Sequence, residues 1–422
     1  MSETIRRLPK LCGLDSELGN ALFGLEGLEG LEGFERFERA GGTGYEASRA
    51  LIREFDGLPG DARDVDCAGG VSEWSGGYRA AGATAAPRSY DPQDWNRRFL
   101  PANGGCAYID LDHLELCIPE VLGAHDHVAA WHAMLRLARA ALARANAKLP
   151  PGQVIRVLVN NSDGGGHSYG SHLNFMVTRR SWDNIFDRRL HHLLYLAAFQ
   201  VSSIVFTGQG KVGSENGAPP VDFQLSQRAD FFERLIGAQT TYLRPIVNSR
   251  DEPLCGRRND NPNAARLHVI FFDNTLSHAA TLLKVGVMQI VLAMIEAEQV
   301  ATRLILDDPL AAVVRWSHDP GLTARARLGS GRELTAVELQ LEFLAEARRF
   351  AARGGCDGIV PRAGEILALW EDTLGKLQAG DLPALASRLD WVLKRSLIER
   401  AMRRRPELGW RDPEIKHLDL VY

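Results

Sequence analysis

Tyr108-Ile109-Asp110-Leu111-Asp112-His113-Leu114-Glu115 delivers one carboxylate at the end of a β-type run and a second, Glu115, five residues later, just ahead of Pro119-Glu120. Carboxylates at a strand end can hold Mg²⁺ or serve as base or nucleophile. Most acidic residues near strand ends are simply solvated, so the weight comes from the company this pair keeps. An acidic pair, Asp15 and Glu17, stands upstream in Gly13-Leu14-Asp15-Ser16-Glu17-Leu18-Gly19. Downstream come a glycine-rich turn with two histidines (160–174), an arginine motif (223–228) and the run 244–253.

The 422 residues allow one large domain or two to three ordinary ones. With 45% hydrophobic and 24% charged residues and a net charge of −4, the composition is globular and shows no polyanion-binding surface. Nucleic acid is not an expected partner. The six cysteines (Cys12, Cys67, Cys106, Cys117, Cys255, Cys356) form no Cys-x-x-Cys pair, which argues against a zinc ribbon or a disulfide framework. The N-terminus lacks the apolar core of a signal peptide, and the longest apolar stretch, 193–206, is interrupted by Gln200, Ser202 and Ser203. It is shorter than the roughly 20 residues of a membrane span, so no membrane association is expected and a cytoplasmic location is.

Gly-Leu-Glu repeats three times over 24–32, and Phe-Glu-Arg repeats over 34–39. Repeats this short cannot specify a core, so 20–100 reads as a divergent, partly flexible insertion with a helix only near 45–55. Val128, Trp131, Leu135, Ala138 and Leu142 predict an amphipathic helix ending before Pro150, with His125, His127 and His132 at solvent-facing positions. Residues 154–159 predict a short buried strand, and 267–272 another. Helices are expected over 281–298, 335–353, 364–377 and 382–404. Strands interleaved with long helices, without a regular βαβ rhythm, favour the α+β class.

The segment 207–213 (T-G-Q-G-K-V-G) is glycine-rich, but its spacing fails the Gly-x-x-x-x-Gly-Lys-Ser/Thr requirement of a phosphate loop. A plain turn explains it equally well. Residues 160–174 (N-N-S-D-G-G-G-H-S-Y-G-S-H-L-N) are more specific. Three consecutive glycines let backbone approach a ligand closely, and His167, His172 and Asn174 add groups able to bind phosphate or metal. Arg228, Arg244 and Arg250 offer guanidinium forks suited to phosphate or carboxylate, with an ion pair to Asp251 or Glu252 as the alternative for Arg250. His268 falls in a strand, where a satisfied core histidine is the default. Together these groups suggest a Mg²⁺-nucleotide site acting by positioning and charge neutralisation.

At these residues the chain resembles the family of the Pup ligase and the Pup deamidase/depupylase, relatives of glutamine synthetase and the carboxylate-amine ligases. Pup is the prokaryotic ubiquitin-like protein. The blocks that carry the resemblance are G-L-D-S-E-L-G (13–19), Y-I-D-L-D-H-L-E (108–115), N-N-S-D-G-G-G-H-S-Y-G-S-H (160–172), F-Q-L-S-Q-R (223–228), R-P-I-V-N-S-R-D-E-P (244–253), R-L-H-V-I (266–270) and T-L-L-K-V-G (281–286). Two positions depart from the family pattern: Leu173 stands where a glutamate is usual, and Cys106 where an arginine precedes the tyrosine.

The resemblance implies a glutamine-synthetase-like antiparallel β-cradle backed by helices, forming a single large catalytic domain over 1–422. Its C-terminal helical end spans 382–422, without the family's small C-terminal domain. It implies ATP or ADP and Mg²⁺ as cofactors. The implied metal set is Asp15, Glu17, Tyr108 and Glu115, the implied catalytic residue is Asp110, and the implied nucleotide contacts are Gly165, His167, His172, Asn174, Arg228 and Arg250. The expected partner is a small Pup-like protein or peptide ending in Gln or Glu. The five-residue spacing from Asp110 to Glu115 looks more like the deamidase, which implies hydrolysis of a Gln/Glu side-chain amide or isopeptide. Its alternatives are an ATP-dependent carboxylate-amine ligase working through an acyl phosphate, and a binding protein with a decayed site.

Overall fold

The computed structural model describes residues 7–24, 43–55, 97–100, 103–250 and 262–422. Most of the expected insertion over 20–100 therefore lies outside the described residues, as do Asp251 and Glu252. The described chain falls into two compact units. One holds Leu14–Pro119 with Ala130–Leu158, and the other Met1–Gly13, Glu120–Ala129 and Val159–Tyr422.

The first unit contains most of β1 (Cys12–Phe23), then α1 (Thr43–Arg53), β2 (Arg98–Leu100), β3 (Gly105–Asp110), β4 (His113–Val121), the body of α2 (Ala124–Asn146) and β5 (Val154–Leu158). Its strands run in the order β5-β1-β4-β3-β2, with β5/β1, β4/β3 and β3/β2 antiparallel. Period-two alternation sorts the β3–β4 hairpin into two faces. Ala107, Ile109, Leu114, Leu116 and Ile118 are buried on one, and Cys106, Tyr108, Asp110, His113, Glu115 and Cys117 share the other. Helix α2 closes on the start of β3, where a Cβ at Gly105 would lie 2.9 Å from Met134 Sδ. Its buried stripe within this unit is Trp131, Met134, Ala138, Ala141 and Ala145, rotated from the expected one toward the alanines. Close approach to the sheet favours the small side chains. The expected buried strand at 154–159 is corrected: in β5 only Ile155 is buried and Arg156 is exposed, because β5 pairs with β1 alone at the end of the strand order.

The second unit contains β6 (Ser171–Thr178), α3 (Arg179–Asp183), α4 (Leu190–Thr207), β7 (Lys211–Val212), β8 (Phe223–Gln224), β9 (Phe232–Gly237), β10 (Arg244–Asn248) and β11 (Ala264–Val269). Then follow α5 (His278–Glu296), α6 (Pro309–Ser317), α7 (Ala336–Ala352), α8 (Ala363–Gln378), α9 (Asp390–Arg404) and α10 (Pro413–Leu420). Strands β6 and β11 pair antiparallel, with Asn174 opposite His268, whereas β9 and β10 pair in parallel. Helices α4 and α5 are apolar and long enough to cross a membrane by length and composition, yet 83% of each 18-residue window is buried inside the protein. They form the core, with α4 against α5, α6 and α7, and α8 against α5 and α7. At Gly286 a Cβ would come within 2.6 Å of Ile366 Cδ1, so only glycine admits this approach of α5 to α8.

Capping explains several helix ends. Thr335 and Glu338 form a reciprocal capping box at α7, and Ser277 caps α5 through Ala280 N–H. The single helix expected over 382–404 is broken. A 3₁₀ turn, Pro383–Leu385, precedes α9, because proline fixes a first-turn geometry without extending it backward.

The histidine expectation on α2 is also corrected. His127 is 1% exposed, its Nδ1 lies 3.8 Å from Cys12 Sγ, and burial pushes its imidazole pKa down to about 3. It is a neutral core residue. A buried ion pair anchors the start of the chain in this unit: Lys10 Nζ donates to Glu296 Oε2 at 2.6 Å, and the same carboxylate accepts from Leu8 N–H at 3.0 Å and Thr178 N–H at 2.7 Å. Removing one partner of such a pair strands a charge in the interior. Glu296→Ala is therefore expected to destabilise folding by about 3–5 kcal/mol, read as a lower urea midpoint with an unchanged m-value; a shift under 1 kcal/mol would show the pair to be solvent-screened.

Candidate active site: the carboxylate face of the β3–β4 hairpin

In the first unit, β3 and β4 place Tyr108 opposite Glu115 and Asp110 opposite His113. Asp15 and Glu17, two apart on β1, share one face of their own strand. The structure brings Glu17, Asp110 and Glu115 together, with one carboxylate oxygen from each lying within 4.8 Å of the others. Glu17 also lies 3.7 Å from His113 Nδ1.

The electrostatics are dominated by Glu115, which is 2% exposed. Burial, then the charges of Asp15, Glu17 and Asp110, hold its carboxyl well above the usual carboxylate range, against a hydrogen bond with Tyr108 that favours the ionised form. Its Oε2 is buried without a hydrogen-bond partner. An orphaned carboxylate oxygen beside two further carboxylates is the donor set of a hard divalent cation, so these residues fit Mg²⁺. Tyr108 is half-buried, and desolvation followed by the charges of Cys117, Glu115 and Asp15 raises its phenol well above its ordinary value. Asp110 differs from Glu115 in burial: it ends its strand and stays half-exposed.

Arg97 is a site residue that sequence reasoning missed. Its guanidinium lies over the Tyr108 ring, 4.1 Å from the centroid, and hydrogen-bonds the Cys106 side chain. It thereby brings a cation to the position where Cys106 departs from the family arginine. No local signal marks it, since Arg97 and Arg98 follow a stretch without periodicity.

The remaining candidates belong to the second unit. His172 and Asn174 lie on one face of β6, and His268 of β11 joins them, its ring 5.1 Å from that of His172 in a T-shaped contact. Leu173 points to the opposite face and is fully buried. The amides of the glycine turn are engaged by side chains of the turn itself and by Glu215. Gly164 N–H donates to Ser162 Oγ, Gly165 and His167 N–H to Asp163 Oδ1, and Gly166 N–H to Glu215 Oε1. The His167 side chain is 80% exposed and contacts Asp163 Oδ2 through Nδ1 at 2.8 Å. Arg228 is buried and donates to the Tyr169 carbonyl, while Arg244 donates to the carbonyls of Ser168 and Thr240. Both guanidiniums brace the turn. Arg250 directs its backbone N–H to Asn248 Oδ1 at 2.9 Å. Two of the 207–213 glycines serve close packing: a Cβ at Gly208 would lie 2.2 Å from the Leu225 carbonyl oxygen, and one at Gly210 2.7 Å from the Phe223 ring.

A family model described as Pup-ligase protein matches residues 69–422. The chain belongs to the Pup-ligase family. Among its relatives are a depupylase of Acidothermus cellulolyticus (38% identical, covering 82% of this chain and 66% of the relative) and a Pup–protein ligase of Acidimicrobium ferrooxidans (36%, covering 76% and 68%). A Pup deamidase/depupylase of Mycolicibacterium smegmatis is 37% identical, covering 77% of this chain and 62% of the relative. The chain thus spans about two thirds of the length of the curated relatives it matches. Solved structures share its fold, two of them of the Pup ligase PafA. The Pup ligase PafA in complex with Pup gives a TM-score of 0.73 at 23% identity, covering 99% of this chain and 74% of that one. PafA in complex with ADP gives 0.65 at 26%, covering 82% and 76%. The fold is the glutamine-synthetase-like α+β class expected from the sequence.

The raised Glu115 pKa carries a sign. Above the ordinary carboxylate pKa the unfolded chain ionises Glu115 while the folded protein resists, so this group lowers stability as pH rises through that window. Glu115→Gln should therefore raise the melting temperature of the metal-free protein at pH 8, with the gain shrinking toward pH 4. A lowered melting temperature at pH 8 would show that Glu115 is ionised and stabilised by partners.

Proposed function

We propose that this chain is an amidohydrolase dependent on Mg²⁺ and ATP or ADP, a deamidase or isopeptidase acting on a Gln/Glu side-chain amide of a Pup-like protein, with Asp110 as nucleophile or base. The observation that carries the reading is the division of labour among the three carboxylates. Asp110 is half-exposed at the end of β3, where a substrate can reach it, while Glu115 is buried with an orphaned oxygen. The hairpin turn of two residues, which gives the five-residue spacing, and the relatives named depupylase and Pup deamidase/depupylase support the hydrolytic choice.

As nucleophile, Asp110 attacks the side-chain carbonyl carbon, and the C–N bond breaks as the nitrogen takes a proton from water and leaves as ammonia or the amine. The hydroxide left behind opens the resulting anhydride, releasing the product carboxylate and restoring that of Asp110. As base, Asp110 takes the proton of an attacking water instead. Asp15, Glu17 and Glu115 would hold the cation, with Tyr108 hydrogen-bonded to Glu115; a bound Mg²⁺ supplies charge neutralisation at the reacting carbonyl. His172 and Asn174, of the groups expected at the nucleotide, share their face with His268, and the 160–169 turn contributes shape, since its amides are engaged by Ser162, Asp163 and Glu215.

A ligase is the second reading. It is supported by the relative named Pup–protein ligase and by the shared fold of PafA, which was solved with Pup and with ADP. The two chemistries separate in one experiment. The hydrolase releases ammonia from a Gln-terminated Pup-like peptide in the presence of Mg²⁺ and ATP or ADP. The ligase joins a Glu-terminated peptide to a lysine amine while consuming ATP.

Asp110→Asn is expected to reduce ammonia release at least about 1000-fold while leaving the fold intact. Glu115→Gln should raise the Mg²⁺ concentration needed for turnover about tenfold, because it removes a ligand charge. Full activity of Asp110→Asn sinks the mechanism, and ATP-coupled joining without ammonia release transfers the assignment to the ligase.

A further inference from the structure

The turn from β3 to β4 consists of Leu111 and Asp112, with Asp110 and His113 the last paired residues. Leu111 sits at φ 50, in the left-handed region, and its side chain is 70% exposed. That backbone conformation is disfavoured for any residue with a Cβ, and no burial of Leu111 offsets it. Contacts to the turn's backbone must therefore hold its shape.

Two buried side chains supply them. Asn20 Nδ2 donates to the Asp112 carbonyl at 3.2 Å, and Asn20 Oδ1 accepts from Leu114 N–H at 2.8 Å. Ser48 Oγ donates to the same Asp112 carbonyl at 2.7 Å. Asn20 Nδ2 also reaches Ser48 Oγ and the Gly44 carbonyl, each at 2.8 Å, which fastens α1 to the same point. The approach of α1 is close: a Cβ at Gly44 would lie 3.3 Å from Asp112 Cβ.

We propose that Asn20, seconded by Ser48, is a positioning residue for Asp110. Lying three residues beyond Glu17 on β1, its side chain falls on the opposite face of the strand from the carboxylates, so it acts through the turn. One amide ties the strand carrying Asp15 and Glu17 to the hairpin carrying Asp110 and Glu115, and keeps the three clustered carboxylates in register. This rests on reading Glu17, Asp110 and Glu115 as the reactive centre.

The test compares wild type, Asn20→Ala and Ser48→Ala, each shown to be folded by circular dichroism. Three readouts are taken: Mn²⁺ binding by electron paramagnetic resonance, amide exchange across 111–114, and ammonia release from a Gln-terminated peptide. Asn20→Ala should weaken Mn²⁺ binding and speed exchange at Leu114 by about tenfold each, and Ser48→Ala should do so less, since it removes one bond to Asp112. Turnover should fall about 100-fold in kcat with KM nearly unchanged. A residue with a merely structural role lowers the melting temperature without moving Mn²⁺ affinity or kcat.

Wild-type Mn²⁺ affinity and wild-type protection in folded Asn20→Ala overturn the proposal. A wild type that takes up no Mn²⁺ refutes the reading of the site instead, and exchange across 111–114 then decides the positioning claim. If Asn20→Ala does not fold, Ser48→Ala decides by the same readouts.

Discussion

Glu115, held away from water beside Asp15, Glu17 and Asp110, is the constraint on which the first unit depends. Taking an ion out of water costs several kcal/mol, and like charges nearby add to that. The opposite face of the same hairpin offsets it. Ile109, Leu114, Leu116 and Ile118 are buried there, and each contributes about 1.5–3 kcal/mol. Alternation makes the two faces inseparable, because a slip of one residue in β4 would turn Glu115 into the core and Leu114 onto the polar face. The apolar residues thus enforce the register that concentrates the acids. Arg97 works in the same direction, bringing a cation to Tyr108 and the Cys106 thiol.

A different device operates in the second unit, where polar groups are buried in a fully bonded network. Lys211 pairs with Glu215 at 2.8 Å and with Asp230 at 3.4 Å, and Asp230 accepts from His318, Gln224 and Glu215 N–H. Bonds to His318, Lys211 and Gln224 outweigh burial and hold the Asp230 carboxyl below its usual range. Glu215 passes this rigidity outward by accepting from Ser162 and Gly166. A loop that the glycines alone would leave free is thereby set in one conformation.

How much of this was legible depends on whether the signal was local. The acidic pair around the β3–β4 turn was readable because strand ends, turn and carboxylates lie within eight residues. Asp15 and Glu17 stand out by residue type alone; the structure draws Glu17 to Asp110 and Glu115, while Asp15 acts on Glu115 through its charge. His127 was misread because its sequence neighbours alternate with polar residues, whereas its burial comes from β1 and α5, which supply Cys12 and Gln289. Arg97 and Asn20 had no readable signal: one follows an aperiodic stretch, and the other acts through residues more than 90 positions away. The turn amides at 164–166 were read as open to a ligand because sequence does not show that Glu215, about 50 residues on, occupies one of them.

The Lys10–Glu296 pair also bears on the order in which the molecule can be made. Its partners are 286 residues apart in the chain, so the segment that carries Lys10, just ahead of β1, has no counter-ion until most of the protein exists. At about 5–20 residues per second on the ribosome, the delay is roughly 15–60 s. All described residues of the first unit are available by Leu158, well before that. The hairpin unit can therefore assemble its carboxylate face during synthesis, while Lys10 waits as a solvated cation for the helix that will bury it. Folding of the second unit is tied to late, long-range closure, which makes it the slower step and the one most exposed to interruption of translation.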